Sequence, residues 1–299
     1  MLQESAFHDL PRSERAEHTN AREAALRHVT ETVRDLGIEL DLSRHPEIGE
    51  RLVEIGTHFA DSAEIARIAR ALYADLQKEL ELPDATPERV MRAAVLHDIG
   101  KSGPAGARGD FHAAVRALFV NPLRKFDLYR DGAPKSVNDY LTEQGLENAG
   151  GIAAALTAEG IDPATEPMIV FWRRHAQWTH DVLRAEPPSG DIDAETVRIA
   201  ASHHMIEGLN PADLHPDSPA HEDDATLARR ELVEAIDKYQ AYRVRGGMTH
   251  AEAIARLRSA VANSKAYPEA LRARFEKTIA VLERSEDAIN ALSNEKDRS

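Results

Sequence analysis

The sequence contains no cysteine and few aromatic side chains, and these two absences narrow the chemistry open to the chain. Without cysteine, disulfides, thiolate catalysis and cysteine-ligated zinc sites are excluded. Phe, Trp and Tyr make up only 5% of the residues, whereas Ala, Leu, Glu and Arg abound. Because this balance favours helices over sheets, the composition predicts an all-α fold.

Long apolar runs and a net positive charge are also absent. No stretch approaches the roughly 18 apolar residues of a membrane span, and the first residues lack a basic start followed by an apolar stretch. The 37 basic and 51 acidic residues give a net charge of −14, which does not attract a nucleic-acid backbone. We therefore expect a cytoplasmic protein that binds neither membranes nor long nucleic acids.

Hydrophobic periodicity and capping signals divide the chain into helices. The predicted helices cover 13–36, 46–55, 58–82, 86–97, 111–119, 137–144, 152–158, 167–183, 194–205, 227–242, 251–261 and 268–292. Residues 1–11 are predicted to form a weakly ordered arm. The irregular, aromatic and basic stretch 121–132 is either a surface excursion or a loop that covers a substrate. No internal repeat and no convincing strand pair is found.

The stretch Ala93–Lys101 places a histidine and a carboxylate side by side near the predicted end of a mostly buried helix, which Gly100 would stop. Burying an imidazole and a carboxylate costs several kcal/mol each unless a metal or a charged partner compensates. The nitrogen of His97 and the oxygen of Asp98 are a ligand set for a divalent metal. Lys101 would meet an anionic substrate. The alternative is a core histidine that is bonded to its neighbouring aspartate.

Other residues of ligand type fall on separate predicted helices that are otherwise apolar around them. They are His58 or Asp61, His175, the pair His203-His204, and Asp237. His58 and Asp61 lie three residues apart on one helix face, so either or both are candidates for the first ligand. Helical bundles build metal sites from such inward side chains, and we predict one here. The remaining candidates, His180, His215, His221 and His250, are predicted to be surface or loop residues.

The string His-Asp-Ile-Gly-Lys at 97–101 resembles the signature of the HD superfamily of metal-dependent phosphohydrolases. Further segments resemble its HD-GYP phosphodiesterase branch: 63–69 its first helix, 175–183 its His-Pro-x-x-Gly-x-x-Ile-Leu element, 203–204 its paired histidines and 237–241 its Asp-x-Tyr-Asp-Ala element. The similarity covers about residues 55–260.

The segment after the paired histidines departs from the branch's H-H-E-x-x-D-G-x-G-Y-P signature. Residues 203–211 read His-His-Met-Ile-Glu-Gly-Leu-Asn-Pro, which is shorter and lacks the Gly-Tyr pair. In the branch this segment is tied to recognition of cyclic di-GMP. The interval from Asp98 to His175 is longer than the branch usually shows, so 105–160 is interpreted as an insertion.

The resemblance implies an HD-domain helical bundle over 55–260, with extra helices in an N-terminal segment, 1–54, and in a C-terminal helix and tail, 261–299. It implies two or three divalent metal ions bound by His58 or Asp61 together with His97, Asp98, His175, His203, His204 and Asp237. A nitrogen and oxygen ligand set without sulfur suits Mn, Fe, Co or Mg better than Zn. Asp98 would bridge the ions, and Lys101 would steady the phosphoryl oxygens.

The implied activity is hydrolysis of a cyclic dinucleotide, such as cyclic di-GMP, by metal-activated water. Two alternatives remain open. One is hydrolysis of mono- or deoxynucleotides, which the missing Gly-Tyr pair favours; the other is a sensor that binds metal or nucleotide without turnover, against which the intact His97, Asp98, Lys101 and Asp237 argue. The implied partner is a small phosphate-containing nucleotide. The first 50 residues and the last helix are either ordinary packed helices or a surface for a homodimer.

Overall fold

Helices build most of the chain that the structure describes. The computed structural model describes residues 12–82, 87–119, 128–187, 189–208 and 224–296. Those residues contain thirteen α-helices and one two-stranded antiparallel hairpin, so the predicted all-α class is confirmed. None of the helices in these ranges combines the length and the apolar character that crossing a bilayer requires.

The described elements comprise thirteen α-helices, a 3-10 helix, a π-helical turn and one hairpin. The helices before residue 190 are α1 (Arg12–Asp35), α2 (Pro46–Glu54), α3 (Thr57–Leu80), α4 (Glu88–Leu96), a 3-10 helix (Ile99–Ser102), α5 (Gly109–Phe119), α6 (Val137–Gln144), α7 (Ala149–Ala158) and α8 (Met168–Ala185). Strands β1 (Tyr129–Arg130) and β2 (Ala133–Pro134) precede α6. The later elements are α9 (Ala194–Ala201), α10 (Asp224–Gln240), a π-helical turn (Ala241–Arg245), α11 (His250–Asn263), α12 (Glu269–Arg284) and α13 (Glu286–Lys296).

Polar caps set several helix starts where the sequence predicts them. The side chain of Asp193 accepts a hydrogen bond from the backbone N–H of Thr196 at 2.7 Å, which starts α9. Thr249 and Glu252 form a reciprocal capping box at the start of α11. Each cap satisfies backbone N–H groups that have no partner inside the helix.

The first of two units comprises the described parts of Met1–Glu31, Leu42–Phe59 and Asp98–Ala185. Its apolar core lies among α5, α6, α7 and α8. Aromatic rings fill much of it: Phe119 lies 5.5 Å from Phe171 and 5.9 Å from Trp178 between ring centroids. These packed rings surround the part of α8 that carries His175, whose ring centroid is 5.9 Å from that of Phe119.

The second unit comprises the described parts of Thr32–Asp41, Ala60–His97 and Glu186–Ser299. The predicted apolar face of α3 is buried in it, with Ile68 and Leu76 fully inaccessible. Helices α4 and α10 both pack against α9. The domain boundaries at residues 54 and 260 remain predictions.

Three local predictions are wrong. The helix predicted over 194–205 ends at Ala201, and His203-His204 lies in the turn that follows. The helix predicted over 268–292 is divided at Ser285, whose hydroxyl donates to the carbonyl of Val281 at 2.7 Å and competes with the helical pattern. A short strand pair does exist, because Asp131 and Gly132 both adopt positive φ and form a two-residue turn.

Several predictions lie outside the described residues. They concern the arm at 1–11, the first residue of the helix predicted over 86–97, residues 121–127 of the irregular stretch, His215 and His221, and the end of the tail, 297–299.

Candidate metal centre

His97 and Asp98 directly follow the end of the helix that the sequence predicts to carry them. Helix α4 ends at Leu96, His97 is its C-terminal cap residue, and Asp98 immediately precedes the 3-10 helix. Both side chains are buried, at 0% and 4% exposure. Two ionisable groups are thus consecutive in the chain and removed from water, which is costly without compensation.

Three histidines are anchored in the same way, by a contact between Nδ1 and the carbonyl three residues earlier. The contacts are His97 with Ala94 (2.7 Å), His203 with Ala200 (2.8 Å) and His175 with Trp172. Because a carbonyl only accepts, Nδ1 carries the proton and Nε2 carries the lone pair. Metal-ligating histidines are usually fixed by this kind of second hydrogen bond.

In the first unit, His175 faces the carboxylate of Asp98. The distance from His175 Nε2 to Asp98 Oδ1 is 3.2 Å. Burial lowers the pKa of His175 below its ordinary value, although the carboxylate of Asp98 opposes this shift. The neutral ring is therefore favoured, and two acceptor atoms face each other across this distance. A cation between them would remove the repulsion.

The other carboxylate oxygen of Asp98 accepts from Lys101. Lys101 Nζ lies 2.5 Å from Asp98 Oδ2 and 3.3 Å from His58 Nδ1. His58 Nε2 donates to the carbonyl of Phe119 at 2.9 Å, so its Nδ1 is the acceptor for the ammonium group. His58, predicted as a metal ligand, is placed here beside the lysine.

In the second unit, three histidine rings lie close together, and one of them faces a carboxylate. The ring centroid of His203 is 4.8 Å from that of His97 and 4.4 Å from that of His204. His97 Nε2 lies 3.7 Å from Asp237 Oδ1. Although burial raises the pKa of Asp237, the charge of Lys238 lowers it, and the pKa lies well below the usual range, so this carboxylate is ionised.

His204 differs from the other three histidines because charged side chains contact its Nδ1. Glu207 Oε2 lies 3.2 Å and Lys238 Nζ 2.9 Å from that nitrogen. Lys238 also lies 3.1 Å from Glu207 Oε1 and 3.6 Å from Asp237 Oδ2. Although burial lowers the pKa of Lys238, these carboxylates raise it above its ordinary value and the side chain stays charged.

Gly100 and Arg51 shape the backbone around Lys101. A methyl group on Gly100 would overlap the carbonyl oxygen of His175 and the backbone nitrogen of Thr179, well inside van der Waals contact. Gly100 therefore permits the close approach of α8, and its N–H donates to Thr179 Oγ1 at 3.0 Å. Arg51 donates to Ser102 Oγ at 2.9 Å and to the carbonyl of Gly103 at 3.0 Å, so it fixes the end of the 3-10 helix.

Several residues at the site were not predicted from the sequence. Ser62 Oγ lies 3.3 Å from His97 Nδ1, and Glu234 is fully buried on α10 one turn before Asp237. Their signal is a polar residue on an otherwise apolar helix face. His180 and His250 were wrongly predicted as surface or loop residues, because they are buried at 7% and 5% exposure.

The described chain thus contains buried His/Asp groups that could hold a metal ion, and five of the predicted ligands belong to them. They are His97, Asp98, His175, His203 and His204. Among the described residues, His58, Asp61 and Asp237 fall outside these groups, and Asp61 is exposed. No family model, curated protein or solved structure matches the chain.

Proposed function

We propose that this protein is a metal-dependent phosphohydrolase. The observation that carries the proposal is a pair of acceptor-to-acceptor contacts: His175 Nε2 faces Asp98, and His97 Nε2 faces Asp237. In each pair the carbonyl contact of Nδ1 leaves the lone pair on the nitrogen that faces the carboxylate. A bound cation turns this repulsion into ligation. Nitrogen and oxygen donors without sulfur favour Mn, Fe, Co or Mg over Zn.

The proposed ligands are the residues that the sequence predicts, His97, Asp98, His175, His203, His204 and Asp237, and two or three ions are proposed. Divalent ions supply hydroxide from water near neutral pH and offset charge on an attacked phosphate. The nearly complete burial of His97 and His203 keeps bulk water from the ligand nitrogens. In a poorly hydrated site such charge interactions are stronger than in water.

Besides the metal ions, Lys101 is proposed to bind the phosphate of the substrate. Asp98 and His58 hold its ammonium group, and the side chain is 9% exposed. If a metal ion were bound at Asp98, the ammonium of Lys101 would donate to phosphoryl oxygens, which carry the growing negative charge in the transition state. Arg51 supports this role by fixing the end of the 3-10 helix that contains Lys101.

A cyclic dinucleotide such as cyclic di-GMP is the proposed substrate, and the cytoplasm the proposed location. The support is the order of motifs that resemble the HD-GYP branch, from His97 to Asp237. A second candidate is a mono- or deoxynucleotide, because the Gly-Tyr pair of that branch is missing after His204. A homodimer remains a prediction.

The test is metal analysis of the purified protein together with a nucleotide panel. The panel contains cyclic di-GMP, a linear dinucleotide and deoxynucleoside triphosphates, each with Mn²⁺ or Mg²⁺. We expect bound metal and turnover of one class. His97→Ala and Asp98→Ala should each lower turnover by more than about 100-fold, since even changes behind a ligand cost 10–100-fold.

His28→Ala is the matched control, because His28 is an exposed histidine of α1. It should leave turnover unchanged, and circular dichroism should show the same helicity in all variants. Undiminished turnover in His97→Ala or Asp98→Ala would contradict the proposal. Bound metal without hydrolysis of any nucleotide would instead indicate a sensor.

A further inference from the structure

The ammonium group of Lys238 lies inside a set of metal-type donors in the second unit. His204 Nδ1, Glu207 Oε1 and Asp237 Oδ2 lie 2.9, 3.1 and 3.6 Å from Lys238 Nζ. Lys238 is only 8% exposed. A lysine so deeply buried needs compensating charge, and here one nitrogen and two carboxylates supply it.

Glu234 adds a fourth donor, because only one of its two carboxylate oxygens has a hydrogen-bond partner. It is completely buried, and its Oε1 accepts from the backbone N–H of Ile206 at 2.9 Å. Its Oε2 is buried without a hydrogen-bond partner. Glu234 lies one turn before Lys238 on α10, so the two side chains share a helix face. Burial and the neighbouring charge of Glu207 raise the pKa of Glu234 well above its ordinary value.

We propose that Lys238 occupies a cation position formed by His204, Glu207, Glu234 and Asp237, and that removing its side chain converts this position into a binding site for a divalent ion. The lysine thereby limits how many metal ions the wild-type chain binds. Since His204 and Asp237 are also proposed ligands, this inference rests on the proposed function and specifies its metal count.

The distances around Lys238 Nζ agree with replacement of its ammonium group by a divalent metal ion. The distances from Lys238 Nζ to its three neighbours, 2.9–3.6 Å, are those of an ammonium group beside its acceptors. Divalent ions bind nitrogen and oxygen donors at about 2.0–2.6 Å. Inward movement of each donor by about 1 Å closes this difference, which side-chain rotation supplies once the lysine is gone. The unpartnered oxygen of Glu234 then gains a ligand role.

The experiment compares Lys238→Ala with Lys238→Met. Both remove the charge, but methionine keeps most of the bulk. After dialysis against Mn²⁺, elemental analysis should find one more Mn²⁺ per chain in Lys238→Ala than in Lys238→Met. Lys135→Ala is the matched control: Lys135 is also 8% exposed and pairs with Glu143 at 2.7 Å in the first unit. It should bind the wild-type number of ions.

Thermal unfolding gives a second measurement that does not depend on activity. Without metal, Lys238→Ala should melt below wild type, because its carboxylates have lost their counter-charge. Mn²⁺ should raise its Tm more than it raises that of Lys238→Met. If Lys238→Ala folds only when Mn²⁺ is present, the inference is supported; failure to fold in Mn²⁺ overturns it.

The outcomes separate the inference from the proposed function. No metal in wild type, with one Mn²⁺ in Lys238→Ala, would overturn the proposed function and support the inference. Metal in wild type, with equal Mn²⁺ counts and equal Tm responses in Lys238→Ala and Lys238→Met, would overturn the inference alone.

Discussion

Backbone carbonyls determine which nitrogen the buried histidines present. His97 and His203 follow the ends of α4 and α9, where the last carbonyls have no partner within the helix. Each ring uses one of these carbonyls, at Ala94 and Ala200. The carbonyl at the helix end therefore gains a donor, and Nε2 of the ring keeps the lone pair that could bind a cation. Sequence shows the histidine but not the carbonyl that fixes its tautomer.

At this scale the prediction concerns Gly100. Gly100→Ala should lower the free energy of unfolding by about 1–3 kcal/mol or more, because overpacking against backbone is not relieved by side-chain rotation. The added methyl group would meet the backbone of α8 at His175 and Thr179. Urea unfolding monitored by circular dichroism measures the change, and metal affinity should fall with it as His175 moves.

Gly150→Ala is the control for this substitution. Gly150 lies on α7 without positive φ, and an added methyl group there would point into open space. Its replacement should change the free energy of unfolding by no more than about 1 kcal/mol. Equal stability of Gly100→Ala and wild type would show that the contact between the 3-10 helix and α8 does not require glycine.

At the scale of elements, local signals decide most helix bounds. Helix α6 has the predicted bounds, Val137–Gln144, because a Ser136–Asp139 capping box starts it and Gly145 in the left-handed region ends it. The prediction failed after Ala201 and at Ser285, where neither glycine nor proline stands. Those ends depend on serine hydroxyls that bond to the preceding turn, a choice that sequence periodicity does not reveal.

At the scale of elements, the prediction concerns Asp193, the N-cap residue of α9. Asp193→Ala should lower the free energy of unfolding by about 1 kcal/mol at pH 7, since it leaves the N–H of Thr196 without its acceptor. Although burial raises the pKa of Asp193, hydrogen bonds from Thr196 and the charge of Arg89 lower it below the usual range. Because the pKa of Asp193 is lower in the folded state, its ionised carboxylate stabilises the fold at pH values above the unfolded-state pKa of about 3.9. This stabilisation is lost as the pH falls through the folded-state pKa.

Chemical denaturation at pH values between about 7 and 2.5 measures both the loss of stability in Asp193→Ala and its pH dependence. The difference between wild type and Asp193→Ala should shrink below about pH 4. Asp193→Asn keeps a capping oxygen but does not titrate, so it should retain most of the cap and show a smaller acid dependence. A difference between wild type and Asp193→Ala that stays constant down to the lowest pH would be evidence against an ionised cap.

At the scale of the whole molecule, metal binding should be linked to stability. A metal that binds only the folded state at 100 times its Kd stabilises by about 2.7 kcal/mol. Chelation of wild type with EDTA should therefore lower its Tm by several degrees, and restored Mn²⁺ should reverse the change. The proposed ligand His97 would then have no ion between its Nε2 and the carboxylate of Asp237.

Differential scanning calorimetry with and without EDTA measures this effect. His97→Ala should show a Tm that responds little to either EDTA or Mn²⁺, whereas His28→Ala should respond as wild type does. If EDTA leaves the Tm of the metal-loaded wild type unchanged, the buried histidines serve packing rather than ligation.

By itself the sequence determined the helical class, most helix positions and the burial of His97, Asp98, His175, His203 and His204. Those properties depend on short-range causes: side-chain period, caps, and the cost of burying His97 and Asp98 in an apolar run. Only the tertiary structure decided that Gly100 is required by the close approach of α8, that Lys238 reaches His204, and that Glu234 accepts a hydrogen bond from Ile206. These depend on contacts between residues far apart in the chain, which local periodicity does not encode.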